Sequence, residues 1–268
     1  MNAMQEPAGP SWSDIAAWYD QMLEQGSGPH ETAIASLLRL ARDVAGSSVL
    51  DIACATGFAT RALAAARASS VTGVDAEPAM IDLARARTGP SPTVTYRVDD
   101  AQALASCMDG EFDGVTCHLG LMDIPDLDAT LRSVQRVLKP GGWFVFVIGH
   151  PCFLAPHAGT ITDGSGRTGR FICDYRQERF WRSPNPDGVR RAGNYHRTVS
   201  TYLNAIHRAR FAVEEAEEPF AEPLLAQQQP VYVDVPIFLA IRARATNLAT
   251  SVGDRDRTAA GTAEAGRQ

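Results

Sequence analysis

Several features that mark other classes of protein are scarce in this chain. Its longest uninterrupted apolar run is Trp143–Ile148, far shorter than the ~20 residues that a membrane-spanning helix needs. The first residues lack the basic stretch and apolar core of a secretory signal. The five cysteines include no pair at Cys-x-x-Cys spacing, so neither a disulfide framework nor a metal site is indicated. We therefore expect a cytoplasmic protein without a membrane partner.

Positive charge is also scarce overall, although it is concentrated in one segment. The net charge is −6, which disfavours a general nucleic-acid partner. Residues 164–210 nevertheless carry ten arginines against Asp174, Glu178 and Asp187. Hydrophobic residues make up 45% and charged residues 21% of the chain, which excludes global disorder.

Short apolar runs alternate with amphipathic stretches through the middle of the chain. The predicted strands are Val49–Ala53, Val71–Asp75, Val94–Val98, Gly114–Cys117 and Trp143–Ile148, and the predicted helices between them are 57–67, 77–87, 101–106 and 126–138. Such alternation is typical of a parallel sheet that is buried on both faces. Helices at 12–24 and 31–45 are predicted to precede it.

The alternation of predicted strands and helices ends after residue 149. Residues 150–197 are rich in glycine, proline, arginine and aromatic residues, with a hairpin predicted between 171–181 and 190–196. A helix at 198–210 and strands at Phe211–Ala216 and Pro236–Arg242 follow. The predicted organisation is an N-terminal helical cap (1–47), a parallel-sheet core (48–149), an inserted lid (150–202), the rest of the core (203–244) and a disordered tail (245–268).

The most informative stretch is a strand followed by a turn of small residues and a helix start, Asp51-Ile52-Ala53-Cys54-Ala55-Thr56-Gly57. Small residues let a ligand approach the backbone, and Asp75 ends the next strand, where an acid can accept both hydroxyls of a ribose. A nucleoside-containing cofactor is therefore predicted. Alanines stand where a dinucleotide site needs glycines, which disfavours a nicotinamide enzyme, and Asp51 suits a cofactor with an amino group.

These features resemble the class I S-adenosylmethionine-dependent methyltransferases of the small-molecule type. The resemblance rests on five motifs in order across about 48–150: the Asp51–Gly57 turn, Val71–Asp75 with Met80, Asp99-Asp100-Ala101, Phe112–Val115 and Leu138–Gly142. It implies a three-layer, Rossmann-like α/β sandwich. The sheet would have seven strands, mostly parallel with an antiparallel last strand, and the lid would follow the fifth strand.

The resemblance also implies which residues hold S-adenosylmethionine. Those implied at the methionine moiety are Asp51, Ala53, Ala55 and Gly57; at the ribose and adenine, Asp75, Ala76, Met80, Asp100 and Ala101; and near the methyl group or closing over the cofactor, Cys117 and Tyr19. Ala55 departs from the family pattern, which has glycine there.

The implied activity is methylation of an O, N or C atom of a small metabolite, in specialised metabolism. The acceptor is expected to be planar or acidic, because the lid mixes arginine with aromatic residues. His118, His150 and His196 are the candidate bases, although any single one of them is more often a structural hydrogen-bonding residue than a base. A cyclase or decarboxylase that keeps the methyl group, and a non-catalytic scaffold, stay open as alternatives, as do a monomer and a homodimer.

Overall fold

The computed structural model describes residues 9–246, which are built around one large sheet. The strands are β1 (Ser48–Ile52), β2 (Ser70–Asp75), β3 (Val94–Val98), β4 (Phe112–His118), β5 (Leu138–Gly149), β6 (Gly159–Thr162), β7 (Thr168–Phe171), β8 (Arg179–Trp181), β9 (Asn194–His196), β10 (Phe211–Glu217) and β11 (Phe238–Ala245). Seven of them form the sheet in the order β10-β11-β5-β4-β1-β2-β3. Pairings of β11 with β5 and β10 are antiparallel and the other pairings are parallel, which confirms the predicted sheet.

Helices cover both faces of this sheet, as the buried strands require. They are α1 (Trp12–Glu24), α2 (Gly28–Leu40), α3 (Phe58–Ala65), α4 (Pro78–Thr88), α5 (Leu127–Val137), α6 (Val199–Arg208) and α7 (Pro223–Gln228). The first begins at a capping box, in which Ser11 and Asp14 each bond the other's backbone. None of the helices in the described part of the chain is long and apolar enough to cross a membrane.

The predicted helix at 101–106 is wrong, because this segment forms turns. Leu104 has a φ of 46°, which a helix cannot contain. The Asp99 carboxylate accepts hydrogen bonds from the backbone N–H groups of Ala105 and Ser106. These two N–H groups therefore bond to a side chain and not to the backbone carbonyls of a helix.

The insertion after β5, residues 150–198, contains two small hairpins. Strands β8 and β9 pair antiparallel, as the predicted hairpin requires, whereas the β6–β7 pair was not predicted. The insertion reaches α1, where the Arg191 guanidinium lies 3.8 Å from the centre of the Trp18 ring. Of the predicted tail, residues 247–268 lie outside the described residues, and Ala245 belongs to β11.

Candidate active site

A cavity of about 280 Å³ lies at the carboxyl ends of β1, β2, β3 and β4, with α1 over it. We call it the first cavity. Ligands of open α/β sheets bind at this edge. The predicted site residues that line it are Tyr19, Asp51, Ala53, Ala55, Asp75, Ala76, Met80, Asp100, Ala101 and His118. The structure therefore brings most of the predicted site together.

The turn after β1 has an unusual backbone that shapes one wall. Ala53, Ala55 and Gly57 have φ values of 51°, 47° and 78°, in the left-handed region where alanine costs about 1–2 kcal/mol. Gly57 does not line the cavity, and its lack of a side chain has a packing reason, because a Cβ there would overlap the Tyr96 hydroxyl. The conformation at Ala55 directs its N–H to Asp75 Oδ2 at 2.9 Å.

Asp51 is a fully buried carboxylate whose hydrogen-bond partners are two hydroxyls. Thr116 and Thr60 donate to its two oxygens at 2.9 and 2.7 Å. Burial raises the pKa of Asp51 to about 6, although both threonine bonds oppose the shift. No cation of the described chain pairs with it, so this charge suits a ligand ammonium group.

Asp75 ends β2 with both carboxylate oxygens fixed. Oδ2 accepts from Ala55 N–H, and Oδ1 accepts from Glu77 N–H at 2.9 Å. Burial raises the pKa of Asp75, against these two bonds. Each oxygen keeps a lone pair, so the carboxylate can accept two further bonds from a pair of neighbouring hydroxyls.

Asp99 and Asp100 both line the first cavity but have different bonds. Asp99 is engaged with the backbone of 105–106, together with the Ser106 hydroxyl. Asp100 accepts from the backbone and side chain of Gln102. Asp99 therefore holds the turn, and Asp100 stays the predicted adenine contact.

These residues fit S-adenosylmethionine. An unpaired buried carboxylate, Asp51, matches its ammonium group, and the two-oxygen acceptor Asp75 matches its ribose diol. Met80 and Ala101 give the apolar surface that an adenine ring needs. The same turn would place Asp51 against a pyrophosphate, so the donor set does not fit a dinucleotide.

On the opposite side of the first cavity, His118 stands beside a buried polar chain. Tyr19 Oη lies 2.8 Å from His30 Nε2, and Ser27 Oγ lies 2.8 Å from His30 Nδ1. Burial lowers the pKa of His30 well below its usual value and that of His118 to about 4. His118 lines the first cavity, and its buried Nε2 has no hydrogen-bond partner among the described residues, so a neutral imidazole forms part of the cavity wall.

Asp123 and Arg190 belong to the site and were missed from the sequence. Asp123 lines the first cavity from the loop after β4, and the Arg190 Nη1 atom donates to its Oδ1 at 3.0 Å. Burial raises the pKa of Asp123 to about 7, although Arg190 opposes the shift. One sequence feature could have identified Asp123: it is an acid between apolar residues just beyond a buried strand, in Leu121-Met122-Asp123-Ile124.

Three other predicted residues lie outside the first cavity. Both ring nitrogens of His150 are engaged, Nδ1 by Cys152 N–H and Nε2 by Glu218, so we do not retain it as a base. Cys117 is fully buried in the core, and burial raises the pKa of its thiol. His196 lines a second, smaller cavity instead, and its Nε2 lies 2.8 Å from the Tyr175 carbonyl oxygen.

Comparison with known proteins connects this site to one family. The profile of a family described as "Methyltransferase domain" matches residues 50–146. An S-adenosylmethionine-dependent methyltransferase from Mesorhizobium loti is 31% identical, with 77% of this chain and 95% of that protein aligned at a TM-score of 0.64. A candidate enzyme of the same kind from Listeria monocytogenes is 27% identical over 81% of this chain and 100% of its own, with a TM-score of 0.67.

Curated relatives match only in part. The ubiquinone biosynthesis O-methyltransferase of Xanthomonas oryzae pv. oryzae is 40% identical over 101 residues, which are 37% of this chain. The match spans 42% of that relative's length, so the similarity leaves the larger part of each protein unmatched.

Proposed function

The chain belongs to the S-adenosylmethionine-dependent methyltransferases, and on that premise we propose that it methylates an O, N or C nucleophile of a small organic metabolite. The observation that supports this most strongly is the pair of carboxylates at adjacent strand ends. Asp51 is buried without a cation, and Asp75 is fixed by two backbone N–H groups. S-adenosylmethionine supplies an electrophilic methyl group when it is bound.

We assign the cofactor's contacts to residues of the first cavity. Asp51 would hold the ammonium group, Asp75 the ribose hydroxyls and Asp100 the adenine amino group. Tyr19 packs edge-on against Trp12 with ring centres 5.8 Å apart, and this aromatic pair closes the cavity on the side of α1. Positioning of this kind can lower the barrier of a displacement reaction by about 7–11 kcal/mol in the best cases.

Asp123 is the proposed proton acceptor for the metabolite. Its carboxylate lines the cavity and its pKa, raised by burial to about 7, lies where a general base is most effective. A proton that leaves an O–H or N–H nucleophile would pass to Asp123, while Arg190 keeps the carboxylate oriented. The unpartnered Nε2 of His118 would hydrogen-bond the acceptor.

The match to the ubiquinone-pathway relative covers 37% of this chain and 42% of that relative. The acceptor of that relative is therefore not transferred to this chain. Specificity would come from the insertion, which follows the residues 50–146 that the family profile matches, and a role in specialised metabolism is part of the proposal.

The test is turnover with a panel of small metabolites in the presence of S-adenosylmethionine. Methylation predicts that S-adenosylhomocysteine forms in step with a product heavier by one CH₂ unit. A product formed without S-adenosylhomocysteine would favour the alternative, in which the cofactor is retained for a cyclase or decarboxylase reaction. Binding of the cofactor without any turnover would favour a scaffold.

A further inference from the structure

The second cavity, of about 120 Å³, lies between the insertion and the loop after β4. Its lining includes Met122 and Gly149 from the core and Trp181, Arg190, Asn194 and His196 from the insertion. None of the cofactor-binding residues implied by the family resemblance belongs to it, and His196 is the one candidate base among its lining residues. The cavity is therefore lined largely by the insertion, the segment proposed above to determine acceptor specificity.

Two buried hydrogen-bond donors in this lining have no partner in the described chain. They are the Nδ2 atom of Asn194 and the Nε1 atom of Trp181. Asn194 is only 7% exposed, so water does not replace the missing bond freely. Asn194 and Trp181 are directly opposite each other in the β8–β9 pair, which places their side chains side by side on one face.

An unpaired buried donor costs free energy, and native proteins keep such groups where they serve a purpose. Two of them on adjacent positions, lining the same cavity, indicate a ligand group that accepts hydrogen bonds.

The electrostatic surroundings of the second cavity are positive. Arg170, Arg190 and Arg197 line it, and no aspartate or glutamate does. Arg197 is 9% exposed and donates to backbone carbonyls of the loop after β4, and Arg170 donates to the Phe153 carbonyl. Carbonyl partners leave the charges of Arg197 and Arg170 uncompensated, whereas Arg190 is paired with Asp123, so the cavity as a whole favours an anion over a neutral acceptor.

Arg190 links the two cavities. Its Nη1 bonds Asp123, which lines the first cavity. Its Nη2 lies 3.7 Å from where a Cβ on Gly149 would be, and Gly149 lines the second cavity. Nη2 donates to no described residue. Met122 lines the second cavity and directly precedes Asp123, and its carbonyl oxygen accepts a 2.7 Å bond from Tyr195 N–H.

We propose that the second cavity binds a carboxylate carried by the methyl acceptor. The carboxylate accepts from Asn194 Nδ2, Trp181 Nε1 and the Arg190 guanidinium, and the reacting atom of the same molecule lies on the Asp123 side of Arg190. That the bound carboxylate belongs to a methyl acceptor rests on the proposed function, whereas the anion site itself rests on the donors and charges of the second cavity. The substrate class is small carboxylic acids with a second nucleophilic group.

The test is a fluorine NMR titration of the full chain with para-fluorobenzoate and with its neutral analogue para-fluorobenzamide. Each titration is done with and without saturating S-adenosylhomocysteine. We expect the carboxylate to bind about tenfold or more tightly than the amide, since charge-assisted bonds to arginine are about twice as strong as neutral ones. Equal binding of the two probes, or no binding of the carboxylate at millimolar concentration, would overturn the proposal.

Asn194→Leu and Trp181→Phe remove the two donors and keep most of the volume. Each is expected to weaken para-fluorobenzoate binding by about 10-fold to 100-fold and to leave the free energy of unfolding unchanged or higher, since an unpaired donor has been removed. Arg190→Gln is expected to have a similar effect on binding. The matched control is Arg176→Gln, which removes an exposed charge from the same insertion and is expected to change nothing.

These measurements separate the two proposals. If S-adenosylhomocysteine binds and the carboxylate does not, the second cavity is not an anion site and the proposed methyltransferase function is unaffected. If the carboxylate binds with the expected effects of the variants but S-adenosylhomocysteine does not bind, the anion site stands and the proposed function fails. Unchanged carboxylate binding in both donor variants would place the probe elsewhere and contradict the assignment.

Discussion

Arg190 Nη1 lies 3.0 Å from Asp123 Oδ1, and this bond joins the insertion to the loop after the fourth strand. Both side chains are largely buried, at 23% and 13% exposure. A buried pair of this kind is expensive to break, because either partner alone is left as an uncompensated charge. The contact therefore fixes the insertion over the cavity in which methyl transfer is proposed to occur.

Asp123→Asn is expected to lower kcat/KM about 100-fold or more for an O–H or N–H acceptor, since a positioned general base contributes ~10²–10⁴-fold. Affinity for S-adenosylhomocysteine should change little. In the wild type, kcat/KM should rise with pH through about 7, where Asp123 loses its proton, and this rise should be absent in the variant. Steady-state kinetics between mildly acid and mildly basic pH give both results.

Asp128→Asn is a suitable control for that variant, because Asp128 pairs with Arg208 on the surface of α5. Like Asp123→Asn, it removes one carboxylate charge and one ion pair with an arginine, but at a site outside the cavity. A similar loss of activity in the control, or a pH dependence that survives Asp123→Asn, would remove Asp123 from the proposed chemistry.

Asp51→Asn is expected to stabilise the protein without ligand at high pH and to abolish cofactor binding. Burial raises the pKa of Asp51 from 3.8 to about 6, so the folded state binds this proton more tightly than the unfolded state. The charged carboxylate thus reduces stability progressively as pH rises from about 4 to about 6 and fully above that. The shift corresponds to up to about 3 kcal/mol.

Denaturant unfolding at pH 4 and pH 8 tests this prediction. The gain in free energy of unfolding on Asp51→Asn should be present at pH 8 and nearly absent at pH 4. An equal gain at both values would mean that ionisation of Asp51 is not its cause. Wild-type affinity for S-adenosylmethionine should also weaken as pH falls below about 6, because the ammonium group loses its charged partner.

Ala55→Gly is expected to raise the free energy of unfolding by about 1 kcal/mol. Ala55 has a φ of 47°, and glycine relieves about 1–2 kcal/mol of strain there while restoring about 0.4–1 kcal/mol of unfolded-state entropy. Ala62→Gly, within α3, is the matched control and should instead lower stability by about 1 kcal/mol. Wild-type protein that binds no S-adenosylmethionine, with binding restored by Ala55→Gly, would show that this alanine obstructs the site.

Gly120→Ala is expected to destabilise the protein by about 1–3 kcal/mol. A Cβ at Gly120 would lie 2.6 Å from the Cβ of Ala53, so the turn after β1 and the loop after β4 would be forced apart. The double variant with Ala53→Gly should recover most of the loss. A double-mutant cycle on unfolding free energies measures this coupling, and additive effects would contradict it.

Much of the fold and half of the site could be predicted because local sequence dictates them. Asp51 and Asp75 lie at the carboxyl ends of two apolar strands. Because parallel strands place these ends at one edge of the sheet, the two carboxylates must lie near each other. Asp123 and Arg190 could not be paired in advance, because they are far apart in sequence and meet only through the path of the insertion. The turns at 101–106 were missed for a related reason, as the Asp99 side chain competes with helical bonding.

The histidines show the same limit of sequence reasoning. His118, His150 and His196 all follow or approach the sheet edge, and nothing in their local sequence separates them. Their hydrogen-bond partners separate them: His118 lines the first cavity and its Nε2 has no partner among the described residues, whereas Glu218 and Cys152 engage both nitrogens of His150.

In the proposed function, the first cavity holds S-adenosylmethionine through Asp75 and Asp51. Calorimetric titration of the wild type and of Asp75→Ala with S-adenosylmethionine, S-adenosylhomocysteine and NADH tests it most directly. We predict that both adenosyl compounds bind the wild type at micromolar concentration, that NADH does not bind, and that Asp75→Ala weakens binding by about 10-fold or more. Wild-type protein that binds neither adenosyl compound, or that binds NADH in preference, would contradict the account.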